Sequence, residues 1–562
     1  MTAATTPDLP TPDAPAPVRA ARRPALLVWA AVLVAALLSL PLLTVAASVF
    51  LSGGGAWAHL AETVLGRYIA NSIGLIAIAG LGALLIGTAT AWAVSLCEFP
   101  GRRVLEWALV MPLTIPAYVV AYAYTDALQH SGPVQSALRD LTGWGPRDYW
   151  FPNIRSLGGA GFVFACVFYP YVYLLARTAF LAQSGPAFEA ARLLGTGPWG
   201  AFRRIALPVA RPALVAGTAL VLMETLADYG AVAHFGVPTF TTGIYRAWFA
   251  MGDRIAATQL AACLVGMVLV LLVVERLQRA RVPERGLRAE RDLARMPLKG
   301  WRGWATSLAC ALPVLLGFLL PILILVRLAW PRLEAFAEPR LVRLVVNTVE
   351  LASLAALIAV AIGLLLAYAA RLHPGPATAT SNRLVSLGYA LPGSIVAVGL
   401  LVPLAGFDNA LDGFLRARFG VSTGLLLTGS ITALLFGYTV RFMAISLGAI
   451  NASLARVTPS LDGAARVLGA SAGETLARVH VPIIKGGLLT AALLVFVEVT
   501  KELPATLIMR PFNYDTLAVQ AHRLASDERL AEAAIPSLVI VAVSLAPVLL
   551  LSRQISKAAL RR

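Results

Sequence analysis

The chain contains few charged residues. Only 13% of its 562 residues are Asp, Glu, Lys or Arg, whereas 58% are hydrophobic. Soluble domains carry about twice that charged fraction. Apolar runs long enough to cross a bilayer recur along the whole length. The composition therefore predicts an all-α polytopic membrane protein, because a transmembrane β-barrel would show short alternating segments instead.

Cysteine, histidine and lysine are also scarce. The four cysteines form no CxxC pair, and the six histidines have no metal-ligand spacing, which argues against a disulfide framework or a zinc site. None of the four lysines follows a glycine, although a phosphate-binding P-loop requires that pair. The acids and histidines form no recognisable catalytic cluster either. We therefore expect neither an enzyme nor a built-in ATPase, no bound cofactor and no firm metal site.

The basic excess is distributed as in a membrane protein. The net charge is +17, but the basic residues cluster in short loops between apolar runs, as the positive-inside rule predicts for cytoplasmic loops. We therefore expect no nucleic-acid partner, and we expect both termini in the cytoplasm. Twelve membrane spans are predicted near 26–50, 68–97, 105–128, 158–183, 209–233, 256–275, 305–328, 343–370, 384–405, 424–449, 484–508 and 532–552.

The chain divides into two similar halves. Asn71 opens one predicted span, and Asn347 opens its counterpart in the second half. Six spans separate the two, so the repeats are expected to be parallel. The predicted domains are a disordered cytoplasmic N-terminus at 1–24, a first half at 25–277, a basic cytoplasmic linker at 278–303 and a second half at 304–562.

One polar pattern occurs in both halves with the same internal spacing. The interval from Gly195 to Gly469 equals the interval from Pro208 to Pro482. Each copy predicts a short helix, a sharp turn at the glycine, a second short helix and a proline that starts the next span. The first copy comprises Glu189, Ala190, Ala191, Gly195 and Pro208; the second comprises Asp462, Gly463, Ala464, Ala465, Gly469 and Pro482.

Acidic residues inside predicted spans repeat at the same offset. Glu224 and Asp228 in the first half correspond to Glu498 and Glu502 in the second. Residues four apart share a helix face, and charges deep in a membrane normally face a cavity or a partner. One interpretation is a carboxylate-lined cation path with Tyr229 as a further oxygen ligand, in which Glu224 and Glu498 are transient metal candidates. The alternative is structural: Lys501 or Arg510 pairs with these acids and ties the halves together.

The two polar copies resemble the cytoplasmic EAA loop of ABC importer permeases, and the chain resembles two such subunits fused end to end. The resemblance implies the type I permease fold, in which each loop docks on an ATPase subunit. Gly463 departs from the glutamate of the family pattern. Either Asp462 substitutes for it or the second half couples more weakly. A secondary transporter would also have two halves, but it has no reason to repeat this loop.

Residues 228–249 and 501–517 are similar to ferric-iron importer permeases, and thiamine importer permeases are the nearest competitor. The resemblance implies alternating access, with Lys501 beside the acids of the path. It also implies two copies of a separate ATPase subunit that uses the ATP, and a periplasmic or lipid-anchored binding protein that delivers the substrate. The implied location is the bacterial cytoplasmic membrane.

Overall fold

A computed structural model describes residues 26–51, 55–182, 195–280 and 295–560. Within these ranges the regular secondary structure is helical apart from one short parallel pairing of Cys97–Glu98 with Met296–Pro297. That pairing joins the end of a first-half helix to the residues that precede the second half. The predicted N-terminal segment 1–24 and most of the predicted linker lie outside the described residues.

The helices follow the apolar runs of the sequence. In the first half they are Leu26–Leu38, Leu40–Ser48, Gly55–Thr63, Leu65–Leu96, Arg102–Ala108, Ala117–Leu128, Pro133–Thr142, Leu157–Leu181, Pro198–Ala201, Leu207–Ala227, Gly230–His234, Phe240–Tyr245 and Arg254–Ala280. In the second half they are Trp301–Val314, Leu320–Ala329, Pro339–Leu372, Pro376–Ser386, Gly393–Phe419, Ile431–Leu454, Pro459–Val467, Ala472–Thr475, Val481–Thr500, Pro504–Met509, Leu517–Ser526 and Leu530–Leu560.

Ten helical segments in the described ranges are long and apolar enough to cross a membrane, and two bent pairs bring the number to twelve. One pair bends by 43° between Leu26–Leu38 and Leu40–Ser48. The other bends by 93° between Arg102–Thr114 and Ala117–Thr142, because Ile115 before Pro116 is extended. The predicted span 105–128 is therefore a broken element. The predicted fold class, an all-α protein with about twelve spans, is confirmed.

The first span of each half packs against the other half. Leu26–Leu38 contacts Pro339–Leu372, and Leu320–Ala329 contacts Ala117–Leu128. Glycines allow close backbone approach at these crossings. A Cβ on Gly399 would lie 2.6 Å from the carbonyl oxygen of Pro41. The two halves are thus interlocked.

The paired asparagines occupy equivalent places in the two halves. The Asn71 side chain donates to the Pro238 carbonyl over 2.8 Å, and the Asn347 side chain donates to the Asp515 carbonyl over 3.0 Å. Each bond ties the start of a long helix to the loop after the helix that carries the acids. The Tyr514 hydroxyl also donates to the Asn347 carbonyl. Burial raises the pKa of Tyr514 to about 12, so this hydroxyl remains a donor at neutral pH.

Candidate functional site

The second polar loop, residues 462–482, has the predicted helix and turn. The helix Pro459–Val467 is terminated by Gly469, the second residue after it, whose φ is +80°. The Gly469 amide donates to the Arg466 carbonyl and the Ala470 amide to the Ala465 carbonyl, both over 3.0 Å. This is a Schellman motif, which favours glycine because the residue is left-handed. The predicted turn at the glycine is present.

The first polar loop, residues 189–208, is described only in part. Glu189, Ala190 and Ala191 lie outside the described residues. Gly195 has a φ of +77°, close to the value at Gly469. The repeated spacing therefore corresponds to a repeated backbone conformation at the two glycines.

Each proline lies in the first turn of an α-helix, Leu207–Ala227 or Val481–Thr500, as predicted, but a helical turn precedes it without a break. Helix runs continuously over Phe202–Ala227 and Ala472–Thr500, and Pro208 and Pro482 lie inside these segments. Before each proline there is a π-helical turn, in which the Leu207 amide donates to the Phe202 carbonyl five residues earlier. A proline ring normally clashes with the carbonyl four residues back, and the wider turn relieves that clash.

Asp462 is bound within the chain. Its carboxylate accepts from Arg371 over 2.8 and 3.1 Å, and it lies 2.7 Å from the ring nitrogen Nε2 of buried His480. Arg371 also donates to the carbonyls of Leu454 and Val457 over 3.0 and 2.9 Å. Asp462 therefore fixes the loop helix to the ends of two long helices.

The tip of the second polar loop presents apolar side chains to solvent. Val467 is 88% exposed and Leu468 is 85% exposed. Gly463 and Ala464 are exposed as well, whereas Ala465 is buried against the rest of the chain. An exposed apolar tip of this kind is suited to contact another protein.

A cavity of about 70 Å³ lies between the halves, where the helices Leu207–Ala227 and Val481–Thr500 end. We call it the carboxylate cavity. All four predicted intramembrane acids line it, together with two basic side chains. The charged lining residues are Glu224, Asp228, Glu498, Glu502, Arg441 and Lys501.

Two of the acids also hold the backbone. Asp228 Oδ1 accepts from the Ala231 amide over 2.9 Å, and Glu502 Oε1 accepts from the Ala505 amide over 2.8 Å. Ala231 and Ala505 are separated by the same interval as Gly195 and Gly469. Both acids therefore cap the short helix that follows the membrane segment.

Both carboxylates of the second half form ion pairs. Lys501 Nζ lies 2.8 Å from Glu498, and Arg441 lies 3.0 Å from Glu502. Lys501 therefore pairs with one of the acids, as in the structural alternative, but this ion pair lies within one half and does not tie the halves together. Arg510 pairs with Asp515 instead, at 2.8 Å.

Glu224 makes different contacts from the two second-half acids. It forms no ion pair with any described residue. Its Oε1 accepts a hydrogen bond of 3.0 Å from the Tyr389 hydroxyl, which belongs to the second half. This hydrogen bond is the direct link between the acid of one half and a side chain of the other.

Tyr229 does not line the cavity. Its ring stacks on Tyr245 with centroids 3.7 Å apart and makes an edge contact with His522 at 5.5 Å. No group of three His, Cys, Asp or Glu residues in the described ranges is arranged to hold a metal ion. Any cation contact in the cavity therefore involves fewer carboxylates or other oxygen donors.

Sequence reasoning missed three residues of this site: Arg441, Tyr389 and Tyr118. Of these, Arg441 and Tyr118 line the cavity itself. Arg441 is a lone charge inside the apolar segment 431–454, and that signal could have identified it. Gly393 also belongs to this site. A Cβ there would lie 2.2 Å from the Arg441 guanidinium and 2.4 Å from the Glu502 carboxylate.

Comparisons with known proteins agree with this architecture. Residues 97–285 match the family described as the inner membrane component of binding-protein-dependent transport systems. The chain is 23% identical to the Fe(3+)-transport system permease protein FbpB 2 of Haemophilus influenzae, over 87% of this chain and 90% of the relative. It is 25% identical to the probable ABC transporter permease protein y4fN of Sinorhizobium fredii, over 86% of each. It is 29% identical to the molybdenum transport system permease protein ModB of Escherichia coli, over 36% of this chain and 88% of the relative.

The fold and site thus define a multi-pass membrane permease with two related halves. The chain is similar, over most of its length, to fused two-half permease subunits of ABC importers of the binding-protein-dependent transport type. Permeases of this class act in the inner membrane with an ATPase and a binding protein. The resemblance drawn from the repeated loops is confirmed.

Proposed function

We propose that this permease imports ferric iron, which a periplasmic or lipid-anchored binding protein delivers. The observation that carries the proposal is the charge of the carboxylate cavity. Four carboxylates and two basic groups line it, so the ionised lining carries an excess of negative charge. Hard cations prefer oxygen ligands of this kind, whereas an oxyanion such as molybdate would be repelled.

The size of the cavity favours a small ion. About 70 Å³ accommodates an ion with a few water molecules, whereas pockets for organic ligands usually have roughly 300–1,000 Å³. Thiamine, the competing cationic substrate, is therefore a poorer match to this conformation. A relative that spans both halves is named as an Fe(3+) permease, which supports the same choice.

The two polar loops are the proposed docking sites for two ATPase subunits. The exposed side chains of Val467 and Leu468 support this role, because a partner surface would cover them. ATP binding would draw the loops together and open the path outward, and hydrolysis would reset it inward. In this arrangement both termini are cytoplasmic, residues 25–277 and 304–562 form the two halves, and the chain itself binds no cofactor.

Uptake measurements test the substrate. Cells that lack this chain, and cells with a hydrolysis-deficient ATPase partner, should lose radio-iron uptake. Molybdate, sulfate and thiamine uptake should be unchanged in both. Loss of thiamine or molybdate uptake with normal iron uptake would replace the proposed substrate. Iron uptake that survives the inactive ATPase would refute coupling to ATP.

A further inference from the structure

The carboxylate cavity is electrostatically unequal on its two sides. The second-half acids Glu498 and Glu502 are both neutralised by bases of the same half, at 2.8 and 3.0 Å. In the first half, the positions that correspond to the two bases, at the offset that relates Glu224 to Glu498, hold Ala227 and Val167. Of the four acids, Glu224 and Asp228 are therefore the two that have no ion-paired base among the described residues.

Both first-half carboxylates keep an oxygen available. Glu224 uses Oε1 to accept from Tyr389, and Asp228 uses Oδ1 to accept from backbone amides. Neither Oε2 of Glu224 nor Oδ2 of Asp228 accepts a hydrogen bond from a described residue. Asp228 directly follows the helix that carries Glu224, and both acids line the cavity.

A third oxygen donor lines the same cavity. Tyr118 is only 4% exposed, and its hydroxyl has no hydrogen-bond partner in the described part of the chain. Its ring packs on Gly230, where a Cβ would lie 2.7 Å from the Tyr118 Cβ. A buried hydroxyl without a partner is costly, and a ligand in the cavity would provide it with one.

We infer that Tyr118, Glu224 and Asp228 form a transient oxygen-donor site for a hard trivalent cation on the first-half wall of the cavity. The inference rests on the proposed function and specifies where the cargo is held. Coordination replaces the phenol O–H bond by an oxygen–iron bond, and the proton is released to water. Two carboxylates and one phenolate make a three-charge site, and water completes the shell.

Direct spectroscopy tests the site independently of uptake. The purified permease in lipid nanodiscs is titrated with ferric nitrilotriacetate, and the visible phenolate-to-iron charge-transfer band is recorded. Wild type should develop the band, and Tyr118→Phe should abolish it. Tyr124→Phe is the matched control, because Tyr124 is a buried tyrosine of the same helix whose hydroxyl donates to the Leu316 carbonyl.

The carboxylates are tested by matched charge changes. Glu224→Gln and Asp228→Asn should each weaken ferric binding about tenfold or more, while Asp228→Asn keeps an acceptor for the helix cap. The double variant Glu498→Gln, Lys501→Gln removes one acid and one base, and it should weaken ferric binding less than Glu224→Gln does.

The outcomes separate the site from the transport function. Iron uptake by wild type without a charge-transfer band, or with an unchanged band in Tyr118→Phe, would overturn the site and leave the importer standing. Equal losses from Glu224→Gln and from the neutral double variant would overturn the asymmetry. If the wild-type permease imports no iron, the proposed function is refuted, whatever the spectra show. A thermal unfolding scan of each variant identifies misfolding, and iron binding by Asp228→Asn then decides whether the site exists.

Discussion

The ion pair between Asp462 and Arg371 allows a quantitative prediction about the second polar loop. Asp462→Ala removes two charge-assisted contacts to Arg371, at 2.8 and 3.1 Å, from a pair whose side chains are each 16% exposed. Breaking a buried pair typically costs about 3–5 kcal/mol. Arg371 retains two backbone carbonyl acceptors, at 3.0 and 2.9 Å, so the guanidinium is not left unsatisfied.

The expected loss of unfolding free energy for Asp462→Ala is therefore about 2–3 kcal/mol. This value lies between the contribution of one hydrogen bond to a charged group and the cost of leaving a buried charge without any partner. Denaturant unfolding of the chain in mixed micelles measures it. Because the loop helix would also lose its attachment to two long helices, substrate-stimulated hydrolysis by the assembled transporter should fall. Glu474→Ala is a suitable control, since it removes only the capping box of the short helix Ala472–Thr475 and should cost less stability than Asp462→Ala.

A loss below about 0.5 kcal/mol for Asp462→Ala would refute this reasoning, because surface substitutions already reach that size. A large loss of stability with normal coupling would refute a different step. It would show that the ion pair stabilises the fold, and that loop position is maintained by other contacts.

Three further substitutions test other parts of the structure. Gly393→Ala should destabilise the chain by about 1–3 kcal/mol, because the added Cβ would force apart the Arg441 guanidinium and the Glu502 carboxylate. Ala117→Gly, at the equivalent first-half position, is the comparison. Equal unfolding midpoints for the two variants would contradict the packing at Gly393. Val467→Ser with Leu468→Ser should leave the unfolding free energy within about 0.5 kcal/mol but abolish co-purification with the ATPase, and retained co-purification would exclude the tip as the docking site. Gly463→Ala should stabilise the loop helix by about 0.5–1 kcal/mol, because a Cβ there meets no atom within 4 Å; a lower unfolding midpoint would contradict this.

Internal repetition explains what the sequence predicted well. The constant offset between the halves located both glycine turns and both acid pairs, and the structure brings Glu224 and Glu498 to one cavity. These features are local: a turn needs a left-handed residue, and a charge inside an apolar run needs a polar environment. Repetition distinguishes them from chance occurrences, because the same physical requirement is met twice.

Two side chains of the site escaped prediction because each is present in one half only. Tyr389 corresponds to Leu113, at the offset that relates Asn71 to Asn347, and Arg441 corresponds to Val167, so comparison of the repeats gives no signal for either. The Tyr389–Glu224 hydrogen bond joins residues 165 positions apart, which no local pattern encodes. The π-helical turns before Pro208 and Pro482 were missed because a proline after a polar loop usually marks a helix start.

The asymmetry of the cavity leads to a final prediction. In a pseudo-symmetric pair of halves, a cation is drawn toward the side whose carboxylates lack a basic neighbour. That side holds Glu224, because Lys501 pairs with Glu498 on the other side. Ala227 is the first-half counterpart of Lys501 and also lines the cavity. In the double variant Ala227→Lys, Lys501→Ala, the lysine would neutralise Glu224 and release Glu498. Adding Glu498→Gln to this double variant should then abolish radio-iron uptake, whereas adding Glu224→Gln should leave uptake unchanged. This is the reverse of the pattern expected in the wild-type background. If uptake still depends on Glu224, the position of the lysine does not determine where the cation binds.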